Sequence, residues 1–300
     1  MNKILKAIKN PYKLIYGFLL NNLSFSKKIE DETYLGIAYR SVFEKKINWK
    51  KPQSYNEKLQ WLKINYRTSL LTKLVDKCEV KEYVASKIGW EYVIPTLGVW
   101  NNTSDIEIEK LPEKFVLKCT HDSGGVVVCK DKKNFNFETA KEKLEKSLKQ
   151  NFYWMAREWP YKNVQPRVIA EAYIEDKKNK SLNDYKIFCF NGYVDSIMVC
   201  KGREKGHPDF YFYDKNWNRL IYQKQELEKD DNVEKPQNLL QMIELAEILS
   251  QGFPHVRVDF YDVDGKVLFG ELTFFNQSGF DTDILPETDV KWGKLLELPL

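Results

Sequence analysis

Up to about Gly89 the apolar residues recur at helical spacing, and beyond it they alternate or run in short β-branched blocks. Ser54-Tyr55-Asn56-Glu57 reads as a capping box, in which Ser54 accepts an orphan amide and Glu57 reaches back. It opens a helix that carries Leu59, Trp61 and Leu62. A second helix is predicted from about Leu70 to near Gly89. After it, short β-rich segments alternate with two further helices, from about Phe137 to Gln150 and from about Pro236 to Gln251. The class is α+β or α/β, with strands and helices mixed in one fold.

The most informative stretch is HVRVDFYDVDGKVLFGELTF, His255 to Phe274, two alternating strands joined around Asp264-Gly265. A two-residue turn places Glu271 opposite Val258 and sends Asp259 to the other face. A three-residue loop with Gly265 in the left-handed position instead puts Val256, Val258 and Phe260 on one face with Leu268 and Leu272. Apolar residues sort cleanly only in the second register, so an odd loop is expected. It gathers Arg257, Asp259 and Glu271 on the opposite face, with Arg257 across from Glu271 and Asp259 diagonal to it. Two converging carboxylates with bridging phosphates are what magnesium uses. Asp262-Val263-Asp264-Gly265 lacks the twelfth-position glutamate of a calcium loop and reads as the turn.

Three earlier segments carry chemistry. In FVLKCTHDSGGVVVCK, Ser123, Gly124 and Gly125 form a loop whose amides can approach phosphate oxygens, with Lys118 on the strand before it. An ordinary glycine-containing hairpin fits that segment equally well. RVIAEAYIED offers an apolar strand ending at Glu171, able to line a purine slot. In DYKIFCFNG, Asp184 and Lys186 precede an Asn191-Gly192 turn, so that Lys186 can point from a sheet into a cleft.

Composition narrows the partners. With 47 basic and 43 acidic residues interspersed and a net charge of +4, the chain lacks the basic field of a nucleic-acid binder. Five cysteines without C-x-x-C spacing point to reduced thiols and a cytoplasmic setting. His121, His207 and His255 are too scattered for a zinc site. No apolar run is long enough to span a membrane. Residues 1–20 interleave Lys3, Lys6, Lys9 and Lys13 with apolar residues. The weightier reading is a helical hairpin packed on the body with Pro11 as its break; the other is peripheral contact with an anionic membrane surface.

The ordered segments LVDKCEVKEYVASKIGWEYVIP, FVLKCTHDSGG, VIAEAYIED, DYKIFCFNG, VRVDFYDVDG and FGELTF resemble the ATP-grasp superfamily, most closely its TupA-like branch, over about Lys51 to Phe280. That branch is associated with bacterial surface-polysaccharide and teichuronopeptide gene clusters. The resemblance implies a nucleotide held between two α+β lobes, with residues 1–70 as a helical extension, 71–114 as the N-terminal ATP-grasp segment and 115–300 as the nucleotide-binding and catalytic lobes. It implies Mg-ATP and a ligase that joins a carboxylate to an amine through an acyl phosphate. Lys81 and Lys118 are then expected to contact ATP under a loop of Ser123, Gly124 and Gly125. Glu171 is expected to accept the adenine amine, Ala172 and Ile174 to line the purine, and Glu175 or Asp176 to lie near the ribose. Lys186 and Arg257 face the transferring phosphate, and Asp259, Glu271 and Thr273 hold magnesium. Thr273 stands where the family usually has Asn, and Phe275-Asn276-Gln277-Ser278-Gly279 replaces a T-P-G-S-G run. Glu158, in REWPYKN, is a further candidate for substrate binding, although helix-terminal packing is the weightier reading. A uronic acid or amino sugar of a surface glycan is the expected substrate. The alternative is a nucleotide-sugar glycosyltransferase using Asp262-Val263-Asp264 or Asp281-Thr282-Asp283.

Overall fold

The structure, a computed structural model, describes residues 10–122, 124–176, 182–202, 208–225 and 233–299. Ser123, His207 and the basic residues at positions 3, 6 and 9 lie outside the described residues. Helices come first: α1 (Pro11–Asn21), α2 (Leu23–Ser26), α3 (Asp31–Phe43), α4 (Tyr55–Asn65), α5 (Ser69–Val75) and α6 (Glu79–Ile88). The capping box of α4 forms, with Ser54 Oγ accepting from the Glu57 amide at 3.3 Å and Glu57 accepting from the Ser54 amide at 3.3 Å. The helix expected from Leu70 to Gly89 is two helices. Asp76 breaks it by accepting from the amides of Cys78 at 2.7 Å and Glu79 at 3.2 Å, an N-cap placed inside an uninterrupted apolar period.

The hairpin of α1 and α3 packs on the body around Leu19, Tyr34 and Leu35. Fully buried Arg157 holds it there, donating to the Ser26 carbonyl at 2.6 Å with its guanidinium 4.3 Å from the Tyr34 ring. Among the described residues no helix is long and apolar enough to cross a membrane. All five cysteines are free thiols.

Two antiparallel sheets follow. The first has strands β1 (Thr96–Trp100), β2 (Phe115–Cys119), β3 (Val126–Cys129) and β4 (Val168–Ala172) in the order β1-β4-β2-β3. It takes β1 from before residue 114 and the rest from after it. Helices α7 (Phe137–Leu148) and α8 (Tyr153–Ala156) lie between β3 and β4 in sequence. The second comprises β5 (Asp184–Phe190), β6 (Tyr193–Lys201), β7 (Asp209–Tyr213), β8 (Arg219–Leu220), β9 (His255–Val263) and β10 (Lys266–Thr273), ordered β10-β9-β5-β6-β7-β8. Helices α9 (Leu239–Ser250) and α10 (Pro286–Leu295) cover it. All seven residues of β5 are buried, which requires cover on both faces. Cys189 meets the Ala246 carbonyl of α9 on one face, while Phe188 stacks on Trp292 of α10 at 4.6 Å on the other.

The register of β5, β9 and β10 positions the chemistry. Lys186 pairs with Asp259, and Asp259 pairs with Glu271, so three charged residues form one row across three strands. The next row is Phe188, Arg257 and Thr273. The odd three-residue loop expected from the sequence is not how this register arises. Asp264 and Gly265 make a two-residue turn, with φ of 50° and 80° as a type I′ turn requires, and Val263 pairs with Lys266. The extra residue is Gly270, a β-bulge between Phe269 and Glu271. A Cβ there would lie 3.2 Å from the Asp259 carbonyl oxygen, so the bulge is packed against its partner strand.

Because the offset enters at Gly270, the apolar stripe changes too. Val267 and Phe269 share the core face with Leu272, and Leu268, expected there, lies on the other side with Tyr261. Arg257 lies across from Thr273 instead of Glu271, and Asp259 faces Glu271 directly instead of diagonally. At the far end of the same face His255 is a core residue. Its Nδ1 lies 2.9 Å from the Cys189 carbonyl, which only accepts, so Nε2 accepts from the Tyr55 hydroxyl at 2.9 Å. Burial, with Arg257 adding to it, lowers its pKa to about 3, against the Cys189 hydrogen bond that raises it.

Candidate active site

The charged row opens into a cavity. Lys186, only 4% exposed, contacts Asp259 and lies 2.8 Å from Asp184. Arg257 binds Asp259 through two nitrogens, at 2.6 and 2.8 Å, and also reaches Glu271 at 2.9 Å and Thr273 at 3.0 Å. Its remaining nitrogen donates to Asn276 at 2.6 Å, and Asn276 in turn donates to Asp281 at 3.2 Å. The planar guanidinium thus fixes two neighbouring strands and the following loop at once. Partial desolvation in the cleft acts against ionisation of Glu271, although nearly half of its side chain reaches solvent. Arg257 first, then Lys186 and Lys77, outweigh it and bring the carboxyl down to about 2. Burial raises Asp259, with Glu271 and Asp184 adding to it against Arg257 and Lys186.

The opposite wall comes from α6 and the first sheet. The Asp76 cap sets the first turn of α6 so that Lys77 and Lys81, one turn apart, both line the cavity. Arg167 locks the cap through Asp76 at 2.9 Å and Glu79 at 2.8 Å. Glu171 on β4 takes ion pairs from Lys81 and Lys118, each at 2.6 Å, and Lys81 also donates to the Ile94 carbonyl at 2.7 Å. Burial raises Glu171, but the two lysines together draw it below the ordinary carboxylate value. Val80, Val93, Ile94, Tyr261 and Phe269 complete an apolar wall around about 310 Å³.

A second cavity of about 240 Å³ adjoins the first, and the two share Lys77, Val80, Gly270 and Glu271 as lining residues. Arg257 and Thr273 face this second space, with Glu158 and Ser278 on its far side.

The structure therefore brings Lys81, Lys118, Glu171, Lys186, Asp259 and Glu271 around one cavity, and Arg257 and Thr273 around its neighbour. Other expected residues lie elsewhere. Gly125 turns its amide to Asp122 at 3.1 Å, and Gly124 is exposed; neither lines the first cavity. The Ala172 amide is taken by the Pro95 carbonyl at 3.0 Å because β4 stays bonded past Glu171, and Ile174 is absent from the apolar wall. Glu175 pairs with Lys114 at 2.7 Å on the surface, and Asp176 lines a separate cavity with Asp262 and Asp264. Lys77 and Asn276 were not legible as site residues. The break at Asp76 that turns Lys77 inward has no apolar signature, and Asn276 comes into reach only through Arg257.

Among the described residues no group of three or more His, Cys, Asp or Glu side chains forms a metal cage. The donor set nevertheless suits magnesium, which takes one or two carboxylates and completes its shell with phosphate oxygens and water. Asp259 and Glu271 are neighbours on adjacent strands, and Glu271 is 47% exposed.

The family described as TupA-like ATPgrasp matches residues 57–297. A search of curated proteins finds no match. Solved structures similar to this chain include the D-cycloserine synthetase DcsG, 14% identical, with 76% of this chain and 70% of that one covered and a TM-score of 0.43. The D-alanine–D-alanine ligase from Bacillus anthracis complexed with ATP is 15% identical, with coverages of 68% and 55% and a TM-score of 0.39. The ATP-grasp ligase PsnB with a precursor variant, Mg and ADP is 11% identical, with coverages of 88% and 68% and a TM-score of 0.43. This chain thus spans little more than half of the second protein.

Glu171 is the single anion between two lysines, and only Lys118 reaches solvent appreciably, at 23% side-chain exposure. Glu171→Gln leaves Lys81 buried without its counter-charge and is expected to cost about 3 kcal/mol of stability. Urea denaturation at pH 7 measures it; a change below about 0.5 kcal/mol would show that both lysines relax into solvent.

Proposed function

The chain belongs to the TupA-like ATP-grasp family, enzymes that use ATP to form carbon–nitrogen bonds, and on that premise we propose that it ligates a carboxylate to an amine through an acyl phosphate. The observation that carries this reading is the row of Lys186, Asp259 and Glu271 facing the Lys81–Glu171–Lys118 cluster across one cavity.

In this reading the purine rests against Val93, Ile94 and Tyr261, and the phosphates lie toward Lys118 and Lys186. We assign Glu171 to holding Lys81 and Lys118 as ammonium ions, since their ion pairs engage both of its oxygens. Asp259, Glu271 and Thr273 would hold magnesium, which when bound offsets the charge of the phosphates. Lys186 and Arg257 stabilise charge on the transferring group; they are already oriented by Asp184, Asp259 and Asn276 and need little rearrangement. The carboxylate takes the γ-phosphoryl group with release of ADP, and the amine then displaces phosphate. The substrate class we favour is a uronic acid of a bacterial surface polysaccharide joined to a small amino compound. The reverse polarity, an amino sugar acylated by an amino acid, uses the same residues.

The glycosyltransferase alternative loses ground to geometry. Asp262 accepts from Asn238 at 2.8 Å beside a hairpin turn, and Asp281 accepts from the Asp283 amide at 3.0 Å and from Asn276, so both D-x-D strings serve local structure. Sustained ADP release from Mg-ATP is expected only when a uronic acid and an amine are both present, the acid alone giving at most about one ADP per chain, and Asp259→Asn should lower the sustained rate about 100-fold. Nucleoside diphosphate release from a nucleotide sugar, or ADP release indifferent to both substrates, contradicts the reading.

We also propose that the N-terminal hairpin rests on an anionic membrane surface. Leu14, Phe18 and Phe25 are exposed, the two phenylalanine rings touch at 5.7 Å, and exposed Lys13, Lys27 and Lys28 flank them. The full chain is expected to sediment with phosphatidylglycerol vesicles, and Phe18→Ser with Phe25→Ser to abolish this. A wild-type chain that stays in the supernatant refutes it.

A further inference from the structure

Glu158 is 5% exposed and lines the second cavity. A buried carboxylate ordinarily carries a cationic partner, because an unpaired charge out of water is costly. Glu158 has none within ion-pair distance among the described residues. Its side chain accepts a single hydrogen bond, from the Ser278 hydroxyl at 2.5 Å.

The surrounding structure holds that carboxylate in place by strained means. Gln277 and Ser278 both adopt left-handed backbone angles, with φ of 47° and 53°, where neither residue is at ease. Two side chains of α4 pin them. Lys63, fully buried, donates to the Ser278 carbonyl at 2.7 Å and to the Ala156 carbonyl at 2.8 Å, and Gln60 donates to the Gly279 carbonyl at 2.6 Å. Lys63 thus braces the chain on both sides of Glu158, two residues before it and at its one hydrogen-bond donor. Its own ammonium is occupied by carbonyls, so it acts on Glu158 through space. Strain maintained by buried braces is characteristic of a binding or reacting position, not of ordinary helix-end packing.

The rest of the cavity is divided by charge: Lys77, Arg257 and Glu271 line it together with Asp122, while the side at Glu158 is aromatic. Phe152, Tyr161 and Phe275 supply aromatic walls, and the shared edge at Lys77, Gly270 and Glu271 opens to the first cavity. An entering group with a positive head and an apolar body meets a carboxylate, ring faces and, at the open edge, the site of phosphoryl transfer.

We infer that the second cavity binds the ammonium form of the amine substrate at Glu158, and that Glu158 takes its proton as the amine attacks the acyl phosphate. This deepens the ligase reading and rests on it. In the first step R–NH3+ gives one proton to the Glu158 carboxylate and becomes R–NH2. The nitrogen lone pair then forms the C–N bond, the acyl C–O bond breaks with its electrons leaving on phosphate, and the nitrogen's second proton departs with that phosphate as hydrogen phosphate. Burial already raises the Glu158 carboxyl, against Lys63 and the Ser278 hydrogen bond, which suits a group that must accept a proton and later return it to solvent.

The test compares two nucleophiles on the full chain with Mg-ATP and a panel of uronic and amino acids. Hydroxylamine is mostly uncharged at pH 7 and needs no base, whereas methylamine is almost wholly an ammonium ion. Glu158→Gln, which keeps the shape and the Ser278 contact, is expected to lower turnover with methylamine about 100-fold, and to do so roughly tenfold more than with hydroxylamine. Glu158→Asp should recover part of the methylamine rate. The ratio of the two rates is internal to each variant, so partial unfolding cancels. Equal losses with both nucleophiles, or no loss, overturn the inference. Absence of any hydroxamate from the wild-type chain overturns the ligase reading beneath it.

Discussion

One extra residue in one strand decides whether Glu271 joins the other charges of the first cavity. Gly270 bulges from β10, shifts the pairing by one, and so turns Glu271 to the face on which Asp259 and Lys186 already lie. Without the shift the two-residue turn at Asp264-Gly265 would send Glu271 into the core beneath α9. The apolar side of the same strands enforces the choice, because Phe269 and Leu272, on either side of the bulge, must both reach the core. Packing on one face and electrostatics on the other therefore select the same register.

Burying so many ionised groups has a stability cost, since desolvation commonly exceeds the pairwise attraction. The structure contains that cost by sharing partners: Arg257 serves Asp259 and Glu271, Lys186 serves Asp184 and the same Asp259, and Glu171 serves two lysines. Each cluster is close to neutral as it stands and is held by rigid neighbours. In the proposed function, a ligand bearing both negative phosphates and a divalent cation would enter as a further set of paired charges. The second cavity differs. There, among the described residues, a carboxylate has no cation within ion-pair distance, and aromatic rings wall the space beside it.

The sequence exposed the parts of this arrangement that depend on local periodicity. The α4 capping box, the strand character of β5, β9 and β10, and the parity that unites Asp259 with Glu271 all follow from alternation and turn chemistry. The origin of that parity did not. A bulge at Gly270 and an odd loop at Gly265 make the same demand on the apolar stripe, and only the positions of Val267, Leu268 and Phe269 distinguish them. Lys77 was hidden because an Asp cap interrupts a helix without breaking its apolar spacing. Gly125 was misleading for a related reason, since glycine permits close approach by a protein side chain, here Asp122, as readily as by a phosphate. Contacts such as Arg257 with Asn276, or Lys63 with Ser278, join residues 19 and 215 positions apart and leave no mark on either local pattern.

In the proposed function, the bulged row of Lys186, Asp259 and Glu271 organises a magnesium–nucleotide site. Calorimetric titration of the full chain with a non-hydrolysable ATP analogue, in magnesium and in EDTA, tests it most directly. The expected result is one nucleotide per chain, bound at least about tenfold more tightly with magnesium, a difference of about 1.4 kcal/mol, with that difference lost in Asp259→Asn. Absence of binding, or equal affinity in magnesium and EDTA, would contradict the account.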